Sequence, residues 1–367
     1  MENISYENFL PENASTYAYV GGYTTAPFKG HGEGLSVFWI DDASGEWQPV
    51  QVLKEGIDIS FLASDRQKRF LYGVHESLEQ VSAYSIDPQT RQLTWLNTQS
   101  TGGSTPASLS LDPSDRFVIV ANYFGGTVAV LPVEADGKLG LVQQLITLEG
   151  QPGPDKVEQN QSHPHDVCFD PTGRYVFIPD KGFDRVFIFS FDSESGHLTS
   201  AEPASFTEQT GAGPRHLAFH PGGNYAYLIN ELNSTITTFS LGSHRPNLHQ
   251  LQVVSTLPPD FTGSNTCAEI AVASSGKFVY GSNRGHDSIA VYAVDEATGQ
   301  LTPVQWIASG GKTPRFFGLN TPGNRFYAAN QDSDNITTFE VDQENGILTP
   351  TGQVIQTGSP ACLAFVG

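Results

Sequence analysis

The chain has 367 residues, with 39 acidic side chains against 19 lysines and arginines and a formal net charge of −20. No run of Lys and Arg offsets that charge, so neither nucleic acid nor an anionic membrane surface is an expected partner. Charged residues make up only 16%, while 37 glycines, 23 prolines, 23 phenylalanines and 13 tyrosines favour strands and turns over helices.

The first fifteen residues, MENISYENFLPENAS, are polar and acidic. They lack the basic and apolar regions of a signal peptide, so a short N-terminal tail (1–15) and a cytoplasmic protein are expected. A single domain (16–367) follows. It opens with YAYVGGY, continues with LSVFWID, and turns through DASGEW into a further strand. The intervening GGYTTAPFKGHGEG lacks the Gly-Lys-Ser/Thr ending of a phosphate loop. It reads as a long hairpin with a mobile tip, overhanging the centre of the molecule through Lys29 and His31.

From Ile59 onward the sequence repeats. ISFLASDRQKRFLYGVHE is followed from Pro106 by PASLSLDPSDRFVIVANY, from Pro164 by PHDVCFDPTGRYVFIPDK and from Pro214 by PRHLAFHPGGNYAYLINE. Cys267 starts CAEIAVASSGKFVYGSNR, Pro314 starts PRFFGLNTPGNRFYAANQ, and Pro360 starts PACLAFVG, where the chain ends. The starts are 47, 58, 50, 53, 47 and 46 residues apart. Each copy holds a short apolar strand, a turn, a second strand, and a third such as VFIFSFD. An Asp…Gly hairpin to a fourth strand then follows.

Four antiparallel strands per repeat of this length are the signature of a β-propeller blade. The N-terminus supplies strands two to four of a blade and PACLAFVG supplies the missing first. The predicted fold is therefore all-β: a seven-bladed propeller whose C-terminal strand closes the ring and removes its free edges. One chain completes the ring, and a monomer is expected.

Counting from Pro164 as position 0, comparison of the copies separates scaffold from candidate chemistry. Position 16 holds His75, Asn122, Asp180, Asn230, Asn283 and Asn330. Small polar groups at a strand end satisfy local backbone, so this set is read as structural. Position 1 holds Ser60, Ala107, His165, Arg215, Ala268, Arg315 and Ala361; position 2 holds Phe61, Ser108, Asp166, His216, Glu269, Phe316 and Cys362. Position 17 holds Glu76, Tyr123, Lys181, Glu231, Arg284 and Gln331.

A position that only maintained the fold would repeat. These vary, and they gather His165, His216, Arg215, Arg284, Arg315, Lys181, Glu76, Glu231 and Glu269 near the axis. Cations converging in an acidic protein point to a small anionic ligand. His163 is read first as capping a turn, with substrate binding as the alternative. His165 could also be a satisfied core histidine, and Arg215 with Glu231, or Arg284, a structural ion pair. Cys168, Cys267 and Cys362 are isolated in apolar segments and read as free thiols in a reducing compartment. No metal-ligand spacing is present, and neither a metal nor another cofactor is expected.

The segments SHPHDVCFDPTGRYVFIPDKG, GPRHLAFHPGGNYAYLINE and SNRG resemble the seven-bladed propeller lactonase family, which contains 6-phosphogluconolactonases and 3-carboxy-cis,cis-muconate cyclases. The resemblance covers essentially everything after residue 15. It implies a lactone hydrolase of carbohydrate metabolism, with a muconate cyclase-type isomerase, or a propeller that only binds a ligand or protein, as alternatives. It also implies site residues: His165, Arg215, Glu231 and Arg284 in catalysis, with Arg315 competing for the place of the second arginine. His163, Lys181, His216, Glu269, Arg315 and Glu76 are the expected substrate-binding set. In the expected reaction His165 activates water, the arginines stabilise negative charge, and Glu231 orients the histidine or supplies a proton.

Overall fold

The computed structural model describes residues 4–5, 16–242 and 246–366. Seven antiparallel sheets follow one another along the chain. Six have the order first strand, second, third, fourth, starting at Ile59–Ser64, Pro106–Leu111, Cys168–Phe169, Pro214–Phe219, Thr266–Val272 and Pro314–Leu319. These are blades two to seven. Blade one combines Thr16–Gly22, Leu35–Ile40 and Trp47–Leu53 with Pro360–Val366, whose Leu363 and Cys362 pair with Val20 and Gly21. The ring thus closes between the two ends of the chain, as the truncated last repeat predicts.

Of the segment expected as a tail, Ile4–Ser5 forms a fifth strand on the outer edge of blade one, against Val52 and Gln51. The rest of that segment lies outside the described residues, as do residues 243–245 of the irregular hairpin in blade five.

The second strands are apolar on both faces because each blade is covered on both sides. In Tyr175–Asp180, Val176 and Ile178 pack with Ile119, Val128 and Val130 of blade three. Phe177 faces the other way, onto Leu217, Leu228 and Phe239 of blade five. Fourth strands such as Leu198–Thr207 largely alternate partly buried and exposed residues, as outer strands facing water on one side do.

The turns explain the repeated Asp and Gly. Asp170 accepts the backbone N–H groups of Arg174 and Tyr175 at 3.0 and 2.8 Å, closing the first hairpin of blade four. Asp192 accepts Glu194 N at 2.9 Å, and Gly196, with φ +72°, closes the second. A side chain is disfavoured at that φ, so glycine recurs there.

One regularity is invisible in the repeat itself. The first strand of every blade carries one extra residue relative to its partner. Pro214 pairs with Asn230 and His216 with Ile229, skipping Arg215. Ile59 and Phe61 skip Ser60, and Pro314 and Phe316 skip Arg315. In blade four the shift spans Pro164 opposite Asp180 and Cys168 opposite Phe177. A β-bulge re-aims the side chain of its extra residue, and in five blades that residue is position 1. The bulges therefore set the aim of position 1 independently of the alternation of the strand.

Candidate active site

Position 16 is scaffold. Asn283 donates to Thr256 O at 2.9 Å and to Ser288 Oγ at 3.2 Å, and Asn330 to Ser309 O at 3.2 Å. Asp180 accepts His163 N at 2.9 Å and Phe183 N at 3.0 Å. His75 occupies the same place in blade two, between Ile57 O and Ser82 Oγ, each at 2.7 Å.

Positions 1 and 17 form a charged layer. Glu231 is its centre: its Oε2 takes the Arg215 guanidinium in a close ion pair and Arg284 Nη2 at 3.3 Å, while its Oε1 lies 3.2 Å from Lys181 Nζ. Burial pushes the Glu231 carboxyl up, but Arg215, Arg284 and Lys181 together outweigh it and hold the group well below the usual carboxylate range. Arg215 Nε also donates to Ala268 O at 3.1 Å, and Arg284 Nη2 to Cys267 O at 2.9 Å. Burial lowers Arg284 to about 10, against the pull of Glu231. Lys181 is shared with Glu158, 2.7 Å away.

Arg315 stands apart from this cluster. Its nearest carboxylate oxygen, Glu76 Oε2, is 3.7 Å away, and its guanidinium lies over the ring of Tyr23. Tyr23 in turn donates to Glu76 Oε2 at 2.5 Å.

His165, from position 1, joins residues of position 2 in a second layer. His165 Nδ1 is 3.1 Å from His216 Nε2, and His216 Nδ1 is 3.1 Å from Glu269 Oε1. All three residues are buried. Phe61 packs edge-on to His216 and to Phe316, lining one side with apolar rings. On the other side Asp166 accepts Ser108 Oγ and Leu217 N, each at 3.1 Å, joining three blades. Burial, then the charges of Arg215 and His216, push the His165 imidazole well below its ordinary range. It is therefore neutral at pH 7, with one ring nitrogen unprotonated.

Nine of the ten expected site residues thus come together. His163 does not join them as a ligand group. It is buried, stacked on Tyr123 at 4.5 Å, with its ring nitrogens 3.2 Å from Tyr123 O and 3.0 Å from Asn160 Oδ1. Both ring nitrogens are thus engaged by the protein. The expected roles of Glu231 need correcting as well. It bonds to cations rather than to His165, and a carboxyl held ionised has no proton to donate.

The glycine-rich hairpin is also corrected. Thr24 and Thr25 bind Asp58, His31 N donates to Ser359 Oγ at 3.0 Å, and the His31 ring reaches Asp334 at 2.8 Å on blade seven. Lys29 and His31 are exposed. What the loop delivers to the axis is Tyr23, held by its stack on Phe28 at 4.8 Å.

Tyr23, Tyr123 and Glu158 were missed as site residues. Tyr23 is position 17 of blade one, since Gly22 pairs with Pro360; extending the repeat comparison to the composite blade would have found it. Tyr123 underlies the Lys181 ammonium at 5.2 Å and meets His165 edge-on at 5.5 Å. Glu158 arrives on the insertion that lengthens one repeat to 58 residues. Among the described residues no three His, Cys, Asp or Glu side chains are arranged to hold a metal ion.

Comparison with known proteins identifies the family. The family model for the seven-bladed β-propeller lactonases matches residues 17–365. A 6-phosphogluconolactonase of Bacillus subtilis is 36% identical over 302 residues, 82% of this chain and 83% of that protein. One from Formosa agariphila is 31% identical over 312 residues, 83% and 86% of the two chains. The solved structure of a periplasmic gluconolactonase from Pseudomonas aeruginosa superposes with a TM-score of 0.88 at 32% identity, covering 96% of this chain and 99% of that one. On its repeat, its closure and these matches, the chain belongs to the seven-bladed β-propeller lactonase family.

Proposed function

We propose that this protein hydrolyses a sugar-acid lactone bearing an anionic group, with 6-phosphogluconolactone the substrate suggested by the names of its relatives. The observation that carries this is a buried imidazole, His165, beside the layer that holds Arg215, Arg284, Arg315 and Lys181, with the Tyr123 ring touching both His165 and Lys181. Among the described residues, Glu231, Glu76 and the half-buried Glu158 pair with these cations, three carboxylates against four positive charges in that layer.

Water attacks the lactone carbonyl carbon as His165 takes its proton. Arg215, fixed by Glu231 and Ala268 O, stabilises the carbonyl oxygen as it gains negative charge, and a preorganised donor costs no rearrangement at that moment. The ring C–O bond then breaks, the ring oxygen recovers the proton from His165, and the new carboxyl group loses its proton to solvent. Arg315, the cation least engaged by the protein, holds the substrate's anionic group. One buried polar atom of this layer, Arg284 Nε, has no partner among the described residues, and a polyhydroxylated ligand brings acceptors suited to it. The cytoplasmic setting belongs to the same proposal: Cys168, Cys267 and Cys362 are all free thiols.

The test is hydrolysis of 6-phosphogluconolactone measured above its spontaneous rate, for the protein and for His165→Ala. The proposal expects catalysis that drops by about 100-fold or more in the variant. No rate above background on phosphorylated or plain aldonolactones would sink it, and activity confined to carboxylated muconates would assign the ring-closing reaction instead.

A further inference from the structure

Glu269, His216 and His165 form a line of hydrogen bonds whose protons can be placed one after another. We propose that His216 and Glu269 are positioning residues that hold His165 in the neutral tautomer with its proton on Nδ1, so that Nε2 is the basic nitrogen offered to water. This rests on reading His165 as the general base. It replaces the substrate contact expected of His216 and Glu269 with a role exerted through His165.

The placement starts from the carboxylate. Glu269 Oε1 accepts the backbone N–H of Ile270 at 3.0 Å and faces His216 Nδ1 at 3.1 Å. An ionised carboxylate only accepts, so His216 Nδ1 carries a proton. Neutral His216 then has a bare Nε2, which can only accept, and its partner 3.1 Å away is His165 Nδ1. His165 must donate there. Being neutral, it keeps a lone pair on Nε2.

The surroundings favour that neutral assignment. Arg215, Arg315 and Glu231 all act on His165 through their charges, with the cations in excess, and Tyr123 meets its ring edge-on. His216 is faced by Phe61, His165 and Glu269. A second cation in this pair would sit against two guanidinium groups. When Nε2 takes the proton of water, the new imidazolium donates more strongly from Nδ1 to His216, and Glu269 supplies the countercharge. An acid–base histidine needs this orientation and tautomer control as much as it needs its own ring.

The experiment is ¹⁵N NMR of the full chain labelled in histidine, with kinetics of 6-phosphogluconolactone hydrolysis, on the protein, His216→Phe and Glu269→Gln. The expected wild-type spectrum shows His165 protonated on Nδ1. In His216→Phe that preference is lost and kcat falls roughly 100-fold with little change in KM. In Glu269→Gln the tautomer survives, because Ile270 N–H still requires an acceptor oxygen. There kcat falls about tenfold, as for other supporting residues. The acid limb of the rate profile moves to lower pH, since a nearby negative charge no longer favours the protonated pair.

A wild-type His165 protonated on Nε2 overturns the proposal. So does a His216→Phe variant that keeps both tautomer and kcat. If His216→Phe fails to fold, the acid limb of Glu269→Gln decides, and an unmoved limb is the contrary result. Should the protein hydrolyse no lactone, the base reading fails, while the spectra still report on the proton placement.

Discussion

The guanidinium of Arg315 lies 5.3 Å from the centre of the Tyr23 ring, although the two residues come from opposite ends of the chain. Tyr23 belongs to the blade that closes the ring and Arg315 to the blade before it. Closure therefore does more than remove a sheet edge: it brings the aromatic support of the least-engaged arginine into the site.

Removing that support is expected to weaken binding more than turnover. A cation–π contact contributes about 0.5–2 kcal/mol, so Tyr23→Ala should raise KM roughly tenfold. Tyr23→Phe keeps the ring and should show a smaller rise. Steady-state kinetics of both variants check this, and equal losses would place the role in the hydroxyl instead.

Arg315 and Arg284 are expected to separate by substrate. Hydrogen bonds to charged groups contribute about 1.5–3 kcal/mol, so Arg315→Ala should raise KM for a phosphorylated lactone by ~10–100-fold and leave an unphosphorylated one nearly unchanged. Arg284 is bonded to Glu231 and Cys267 O, so Arg284→Ala should depress kcat for both lactones alike. Matched kinetics on the two substrates distinguish the arginines.

The pH profile follows from the neutral His165. Its protonation is pushed well below the ordinary histidine range, by burial first. The rate should be flat from about pH 6.5 upward, with its acid limb clearly below that value. The stability effect has a definite sign: between the folded value and ~6.5 the unfolded chain binds more protons, so stability rises with pH. His165→Gln should flatten the corresponding part of a plot of denaturant midpoint against pH.

Glu231 is buried and pairs with three cations, and removing one partner of a buried pair typically costs about 3–5 kcal/mol. Glu231→Ala should lower the urea midpoint by a corresponding amount and abolish turnover. A variant as stable as the parent would show that the cations find other partners.

Gly21 permits a close approach at the closure. A Cβ there would lie 2.6 Å from both Cys362 Sγ and Ile59 O. Gly21→Ala should cost about 1–3 kcal/mol as an overpacking change. It should also raise KM, because Tyr23 lies two residues on. Urea unfolding and kinetics on one preparation test both effects.

How much of this was legible beforehand differs between scaffold and site. His75 and Asn330 were readable as scaffold because the same bonding need recurs at every strand end. His165 stood out because its counterparts are Ala and Arg. His163 and His165, two residues apart, could not be fully separated from composition alone. One ring is stacked and bonded at both nitrogens, the other sits at a bulge facing the axis, and that difference is made by Tyr123, Asn160 and His216 from elsewhere in the chain.

By itself the sequence determined the seven blades, the closure by Pro360–Val366 and the side chains gathered at the axis. Those rest on local patterning, where apolar alternation and Asp–Gly turns act within a few residues. Only the tertiary structure decided which charges meet. Glu231 clamps Arg215, Arg284 and Lys181 across three blades, Tyr23 supports Arg315, and Glu269 reaches His165 through His216. Side-chain reach and the re-aiming at each bulge set these pairings over distances of a few ångströms, and neither is written in the spacing of the repeat.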